Sequence, residues 1–175
     1  STEYARRLFA LEEAGNIYTR LSNPTSDVFE KRIAALEGGV GALATSTGHA
    51  AIYAIMLTLA ACGDELISSS CIYGGAINLL STTMARSGIK TTFVHPTDLA
   101  GFEAAITEKT KVIFAEAVGN PSCDVTDIDA LAEIAHRHGI PLVIDNTFPT
   151  PYLLRPIEHG ADIVIHSSTK YIGGH

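Results

Sequence analysis

Short apolar runs alternate with helical segments along this chain, and this alternation restricts the folds that it can adopt. The runs predict strands at residues 65–68, 90–95, 111–115, 141–145 and 162–165. They are apolar along most of their length rather than at every second residue, which is typical of strands buried on both faces. Helix-capping residues such as Asp98 and Asp127 begin the segments between them. The sequence therefore predicts an α/β fold, with a mostly parallel sheet and helices on both faces.

The composition agrees with one α/β domain. The chain has 175 residues, of which 46% are hydrophobic and 7% aromatic, and it contains no tryptophan. This length is enough for one domain with its own core. The sequence shows no repeats, no low-complexity tracts and no obvious linker. We expect a partial N-terminal arm and helix over residues 1–24, then an α/β domain over residues 25–175 that is incomplete at its C-terminus.

Charge and hydropathy argue against two kinds of partner. The chain carries 12 Lys and Arg against 19 Asp and Glu, a net charge of −7, without a basic run. A phosphate backbone would be repelled on balance, so we expect no nucleic-acid partner. The most hydrophobic stretch, residues 50–62, is too short to span a bilayer, and the first residues lack a signal-peptide core. We expect a cytoplasmic protein without a membrane partner.

The cysteines and histidines form no recognisable metal or disulfide pattern. Cys62, Cys71 and Cys123 are odd in number and include no CxxC pair. Small buried or half-buried cysteines of this kind suit a reducing cytoplasm. The histidines show no ligand spacing to one another. We therefore expect no metal site.

Chemically active residues follow several of the predicted strands. One strand leads into Glu116 and Asn120, the next ends at Asp145, and the last leads towards Lys170. The carboxyl ends of parallel strands meet at one edge of the sheet, where ligands gather in such folds. This convergence predicts a binding site at that edge.

Lys170 lies just past an apolar strand, among hydroxyl residues and glycines, where a lysine can serve as a Schiff-base amine. An aldehyde cofactor with a phosphate and a pyridine ring needs this amine, a carboxylate, an anion cradle and a flat face. Asp145 could supply the carboxylate, although an Asp after a strand is also a common loop or capping residue. Tyr73, next to two glycines, could stack on the ring or be a core aromatic.

Three segments could bind the phosphate. Residues 45–49 begin a helix with small and hydroxyl side chains, which either present backbone N–H groups to an anion or form a simple N-cap. Ser167 and Thr169 could add hydroxyl donors. Arg20, in an irregular segment with Tyr18, could bind a phosphate in a fork or lie in a surface loop.

The run over residues 167–175 resembles the pyridoxal-phosphate attachment signature of the cysteine and methionine metabolism enzymes, a family of fold type I. Other segments resemble the same family, in the same order, over essentially the whole chain; they are residues 18–20, 23–25, 36–39, 46–50, 73–75, 119–121 and 145–147. The resemblance implies the large domain of an aspartate-aminotransferase-like fold, with pyridoxal 5'-phosphate as the cofactor. A nucleotide-binding domain is a weaker alternative, since the chain has no GxGxxG after a first strand and no GK[ST].

The resemblance also implies a role for each candidate residue. Lys170 would bind the cofactor covalently and move protons on the substrate, Asp145 would pair with the ring nitrogen, and Tyr73 would stack on the ring and assist the leaving group. The resemblance implies that the phosphate is bound by the backbone N–H groups of Gly48 and His49 and by the hydroxyls of Ser167 and Thr169. Tyr18 and Arg20 would contact the phosphate of a neighbouring subunit. Asn120 would lie near the ring hydroxyl.

Within the family, residues 15–20, 47–50, 73–75, 118–121 and 159–163 most resemble O-acetylhomoserine sulfhydrylases. This implies γ-replacement on O-acetyl-L-homoserine with sulfide or a thiol, giving homocysteine or methionine plus acetate, in a homo-oligomer, with a homotetramer expected. Gly75 argues against methionine γ-lyase, which typically has a cysteine there. That enzyme, the cystathionine γ-synthases and lyases, and a noncatalytic pyridoxal-phosphate-binding fragment stay open as alternatives.

The resemblance covers less than half of a usual family chain. The family's sequence continues well beyond the lysine and includes the arginine that binds the substrate carboxylate. We therefore expect the 175 residues alone not to turn over substrate.

Overall fold

The computed structural model describes residues 1–174, so His175, the last residue of the attachment signature, lies outside the described residues. The chain divides into two compact units, Ser1–Ala44 and the part from Thr45 onward. The second unit holds the sheet predicted from the sequence.

The first unit contains helices α1 (Thr2–Phe9) and α2 (Pro24–Glu37). Just beyond helix α1, Leu11 has a left-handed backbone with φ of 58°. Helix α2 begins before Ser26 and Asp27, whose side chains could also cap a helix. Asn23 is the N-cap, because its side chain accepts a hydrogen bond of 2.9 Å from the Thr25 amide and the following proline suits the first helical position.

The second unit alternates strands and helices as predicted. Its elements are α3 (Gly48–Leu59), β1 (Glu65–Ser69), α4 (Gly74–Asn78), β2 (Lys90–Val94), α5 (Leu99–Ala105), β3 (Thr110–Glu116), α6 (Ile128–Arg137), β4 (Leu142–Asp145), α7 (Thr150–Leu153) and β5 (Ile163–Ile165). The strands form one sheet in the order β2-β1-β3-β4-β5, and every neighbouring pair is parallel.

Alternate residues of the central strand β3 explain why both faces of the sheet are covered. Val112 and Phe114 pack into a core shared with α3 and α4, whereas Ile113 and Ala115 pack into a second core shared with α5 and α6. All four side chains are fully buried. Burial of each large apolar side chain contributes roughly 1.5–3 kcal/mol. The predicted fold class, a parallel sheet between two helical layers, is confirmed.

The helical segment between β1 and β2 is irregular. After α4, the segment Leu79–Met84 has π-helical hydrogen bonding. Its middle carries Ser81, Thr82 and Thr83, which favour a regular helix less than the flanking apolar residues do. Leu80 and Met84 are nevertheless fully buried, so the wider turn still packs on the sheet. Among the described residues, no helix is both long and apolar enough to cross a bilayer.

Candidate active site

Three neighbouring strands bring the predicted polar residues to one edge of the sheet. In the parallel register Glu116 of β3 lies beside Asp145 of β4, and Asp145 lies beside Ile165 of β5. Residues paired in this way point to the same face, on strands about 4.8 Å apart. The two carboxylates therefore face the α3 and α4 side of the sheet, and the loop that carries Lys170 follows directly from β5.

Asp145 is half-buried at the end of β4. Its Oδ1 accepts a hydrogen bond of 2.9 Å from the Thr147 amide. Burial raises the pKa of the Asp145 carboxyl, and hydrogen bonds from Thr147 and the nearby imidazoles of His166 and His49 lower it in part. A carboxylate that is poorly solvated gains from a cation placed beside it. A protonated pyridine nitrogen is a partner of that kind.

Glu116 is more deeply buried, with 9% of its surface exposed. Its Oε1 accepts a hydrogen bond of 2.7 Å from the Tyr73 amide. The pKa of Glu116 is raised to about 7, mostly by burial and also by the Asp145 charge, while the hydrogen bond from the Tyr73 amide opposes the shift. The sequence placed Glu116 at a strand end without giving it a role. Its position beside Asp145 depends on β3 pairing with β4, which no residue pattern reveals.

Tyr73 precedes α4 and presents its ring at the surface, with 52% of the residue exposed. The alternative of a core aromatic is therefore wrong. Its ring meets the His49 ring edge to face, with centroids 5.7 Å apart. A Cβ at Gly75 would lie 2.5 Å from Cε1 of Tyr73 and 2.8 Å from Cε1 of His49. Glycine at position 75 thus makes room for both rings.

The start of α3 lies directly against the loop that follows β5. A Cβ at Gly48 would lie 2.9 Å from the Cβ of Ser167, so only a glycine permits this approach. Thr47 is the N-cap, since its Oγ1 accepts a hydrogen bond of 2.9 Å from the Ala50 amide. First-turn N–H groups, such as those of Gly48 and His49, have no partner within a helix. The start of α3, which was predicted to bind an anion, therefore lies beside Ser167, which was predicted to add a hydroxyl donor. The alternative prediction, a simple N-cap, is also correct, because Thr47 caps the helix.

The loop with Lys170 is tied to the Asp145 loop through the backbone. The Ser167 amide donates to Oγ1 of Thr147 at 2.8 Å, and the Lys170 amide donates to the Ser167 carbonyl at 3.2 Å. Thr169 and Lys170 are both exposed, which leaves the lysine amine accessible to a ligand. These contacts hold Lys170, Ser167 and Asp145 in one connected segment of the edge.

Three other predicted residues belong to different segments of the chain. Asn120 is exposed in the loop after β3. Tyr18 and Arg20 belong to the first unit, where the Arg20 guanidinium lies 5.3 Å from the centroid of the Tyr18 ring. Their expected roles stay predictions.

A lysine amine, a half-buried carboxylate, an exposed aromatic ring and an open helix start at one sheet edge fit a pyridoxal-phosphate enzyme. The family profile described as "Cys/Met metabolism PLP-dependent enzyme" matches residues 1–175, and the chain belongs to this family. Pyridoxal 5'-phosphate is the cofactor on which the family depends. The family resemblance and the cofactor predicted from the sequence are thereby confirmed.

Two relatives and one solved structure from this family are similar to the chain. The chain is 53% identical over 174 residues to the O-acetyl-L-homoserine sulfhydrylase of Leptospira meyeri, which covers 99% of this chain and 39% of that relative. It is 52% identical over 174 residues to the homocysteine synthase of Schizosaccharomyces pombe, covering 99% of this chain and 41% of that relative.

A putative O-acetylhomoserine (thiol)-lyase from Campylobacter jejuni subsp. jejuni NCTC 11168 has a similar structure, with a TM-score of 0.95 and 41% sequence identity. The match covers 100% of this chain and 43% of that one, which carries an N'-pyridoxyl-lysine-5'-monophosphate. The chain thus spans about two fifths of the length of these relatives.

Proposed function

We propose that this chain supplies the cofactor-binding part of an enzyme for γ-replacement on O-acetyl-L-homoserine. Sulfide or a thiol would replace acetate, giving homocysteine or methionine in methionine biosynthesis. The observation that carries the proposal is the convergence of Lys170, Asp145 and Tyr73 at one edge of the sheet, beside the start of α3. The relatives named as sulfhydrylases and as a homocysteine synthase support the choice of reaction.

The chain has a residue for each part of the cofactor. Asp145 would face the ring nitrogen and Tyr73 the ring plane, and the phosphate would lie at the start of α3. The phosphate donors would be the amides of Gly48 and His49 and the hydroxyls of Ser167 and Thr169. When bound, the protonated ring withdraws electrons from the substrate's α carbon, chemistry that no side chain supplies.

The protein's own groups would move and hold the protons. Lys170 has an accessible amine that can bind the cofactor aldehyde and, when the substrate amine takes its place, would take up and return the protons of the substrate's α and β carbons while acetate leaves the γ carbon. Asp145 would keep the proton on the ring nitrogen, because a half-buried carboxylate and a cation stabilise each other. Tyr73 would lie beside the γ substituent as acetate leaves.

Gly75 favours replacement over γ-elimination by methionine γ-lyase. A side chain at this position would meet both the Tyr73 ring and the His49 ring, each closer than 3.0 Å. A cysteine would therefore require the stacking aromatic to move.

The proposal is tested on the full-length protein in two separate ways. Borohydride reduction followed by peptide mass spectrometry should place a pyridoxyl group on Lys170, which tests cofactor attachment alone. With O-acetyl-L-homoserine and sulfide, the protein should release homocysteine and acetate. Release of an α-keto acid and ammonia would identify a γ-lyase instead. A pyridoxyl group on another lysine would refute the assignment of Lys170.

Residues 1–24 would form an arm, and residues 25–175 would belong to the cofactor-binding domain. Tyr18 and Arg20 would act on the phosphate of a neighbouring subunit, and Asn120 would contact the ring hydroxyl. The enzyme would be a homotetramer. It would act in the cytoplasm on small amino-acid substrates.

A further inference from the structure

Three side chains with metal-binding atoms meet beside the proposed active site. Cys71, His95 and Asp124 follow β1, β2 and β3, whose ends are neighbours in the sheet. One ligand atom from each, the sulfur, a ring nitrogen and a carboxylate oxygen, lies within 4.8 Å of the other two. Among the described residues, Cys71, His95 and Asp124 are the one group of at least three such side chains that has this geometry.

Cys71 and Asp124 are brought together by close backbone contacts. A Cβ at Gly119 would lie 2.6 Å from the Cys71 carbonyl oxygen and 3.1 Å from its Cβ, so the loop after β3 lies tightly against Cys71. The Gly119 amide donates to the Asp124 carbonyl at 2.8 Å, which closes this loop. The Asp124 carboxylate oxygen lies within 4.8 Å of the Cys71 sulfur. Two of the three ligands are therefore held close together by the backbone.

His95 completes the group from the other side of β1. The Ser70 amide donates to the Val94 carbonyl at 2.8 Å, which holds the residue before Cys71 against the residue before His95. Nδ1 of His95 lies 2.8 Å from Oγ1 of Thr97, a contact that fixes the ring. A histidine that binds a metal through one ring nitrogen usually makes such a bond through the other.

The ligand types and their exposure suit a zinc ion. Thiolate, imidazole and carboxylate are the three ligand types of Zn²⁺ in proteins, at about 2.3, 2.0–2.1 and 2.0–2.2 Å. Tetrahedral geometry at these lengths places ligand atoms about 3.4–3.6 Å apart, so small side-chain rotations would contract the observed group onto the ion. Cys71 and Asp124 are half-buried and His95 is exposed, which gives the ion a path from solvent.

We propose that Cys71, His95 and Asp124 form a Zn²⁺ site with water or an external ligand in the fourth position. The expectation of no metal site came from sequence spacing, and spacing cannot reveal ligands that come from three different strand ends. The proposal is independent of the proposed reaction, because none of the three residues has a role in it.

Zinc binding is measured on the full-length holoenzyme by competition with a chromogenic chelator. The wild type and Cys71→Ser are compared, with Cys123→Ser as a matched control, since Cys123 is an exposed thiol next to Asp124. Cys71→Ser should bind at least about tenfold more weakly or lose one equivalent per chain, because a thiolate ligand is missing. Cys123→Ser should bind like the wild type. Equal binding by all three proteins would overturn the proposal.

A second measurement needs no variant at the thiol. Zn²⁺ should slow the alkylation of Cys71 by iodoacetamide, mapped by peptide mass spectrometry, and should leave the exposed Cys62 and Cys123 unaffected. His95→Gln should remove this protection while Cys71 stays in place. Alkylation of Cys71 at the same rate with and without Zn²⁺, or protection that persists in His95→Gln, would show that these residues do not form the site.

Discussion

Replacing Glu116 by Gln should stabilise the protein at alkaline pH and have little effect at acid pH. Gln keeps the side-chain oxygen that can accept the Tyr73 amide hydrogen, but it cannot ionise. Glu116 is buried and its pKa is raised to about 7, so its carboxyl is protonated in the folded state over a range where it is ionised in the unfolded chain. The folded state then binds more protons, and stability falls as pH rises.

The size of the effect follows from the pKa in the two states. The pKa rises from 4.5 to about 7 on folding. Each unit is worth about 1.4 kcal/mol, so the ionised carboxylate costs the folded protein at most about 3 kcal/mol once the pH exceeds 7. Near pH 5 the cost is under about 1 kcal/mol, because the unfolded chain is then only partly more ionised than the folded one. Solvent that reaches Glu116 would reduce both figures.

The assay is urea unfolding of the full-length protein and of Glu116→Gln, followed by circular dichroism at about pH 5 and about pH 8.5. The variant's gain should grow with pH. Glu103→Gln is the control of opposite sign, because hydrogen bonds from His138 and Arg137 lower the pKa of Glu103. Its stabilisation is present above the ordinary pKa of a glutamate and is lost only below it, so this substitution should destabilise the protein at both pH values and show no gain that grows with pH. A stability difference between Glu116→Gln and the wild type that does not change with pH would refute the raised pKa.

Three other outcomes are expected in the full-length protein. Gly48→Ala should weaken binding of pyridoxal phosphate about tenfold or more by equilibrium dialysis, because the new methyl group overpacks the helix start against the next loop. Gly75→Ala should disturb the Tyr73 ring and change the circular dichroism of the bound cofactor; an unchanged spectrum would contradict the contact. Mixing inactive Arg20→Ala and inactive Lys170→Ala subunits should restore part of the activity if Arg20 serves a neighbouring site, and should restore none if it does not.

The strands could be predicted from the sequence because their signal is local. Runs such as residues 112–115 are apolar along their length, and the structure buries both faces of β3. Helix starts were harder, since several capping residues compete within one short segment. Asn23, followed by proline, begins α2, although Ser26 and Asp27 carry equally suitable side chains.

The site could be predicted as a set of residues but not as an arrangement. Lys170, Asp145 and Tyr73 were recognisable from the residues next to each in the sequence. Contacts such as Gly48 with Ser167, and Glu116 with the Tyr73 amide, join segments that are far apart in the chain. They depend on which strands become neighbours in the sheet, and the order β2-β1-β3-β4-β5 leaves no mark on the pattern of any one strand.

Glu116 and Asp145 together show why the strand order matters for the chemistry. Two carboxyls side by side at the ends of β3 and β4 do not both ionise easily, and the Asp145 charge is one cause of the raised pKa of Glu116. A cation at the proposed ring-nitrogen position would favour the ionised form of Asp145 and offset its repulsion of Glu116. Binding of a cation there would therefore lower the pKa of Glu116, whose carboxyl also accepts the hydrogen bond from the Tyr73 amide. Through this pair of adjacent carboxyls, the protonation of Glu116 would depend on whether the site is occupied.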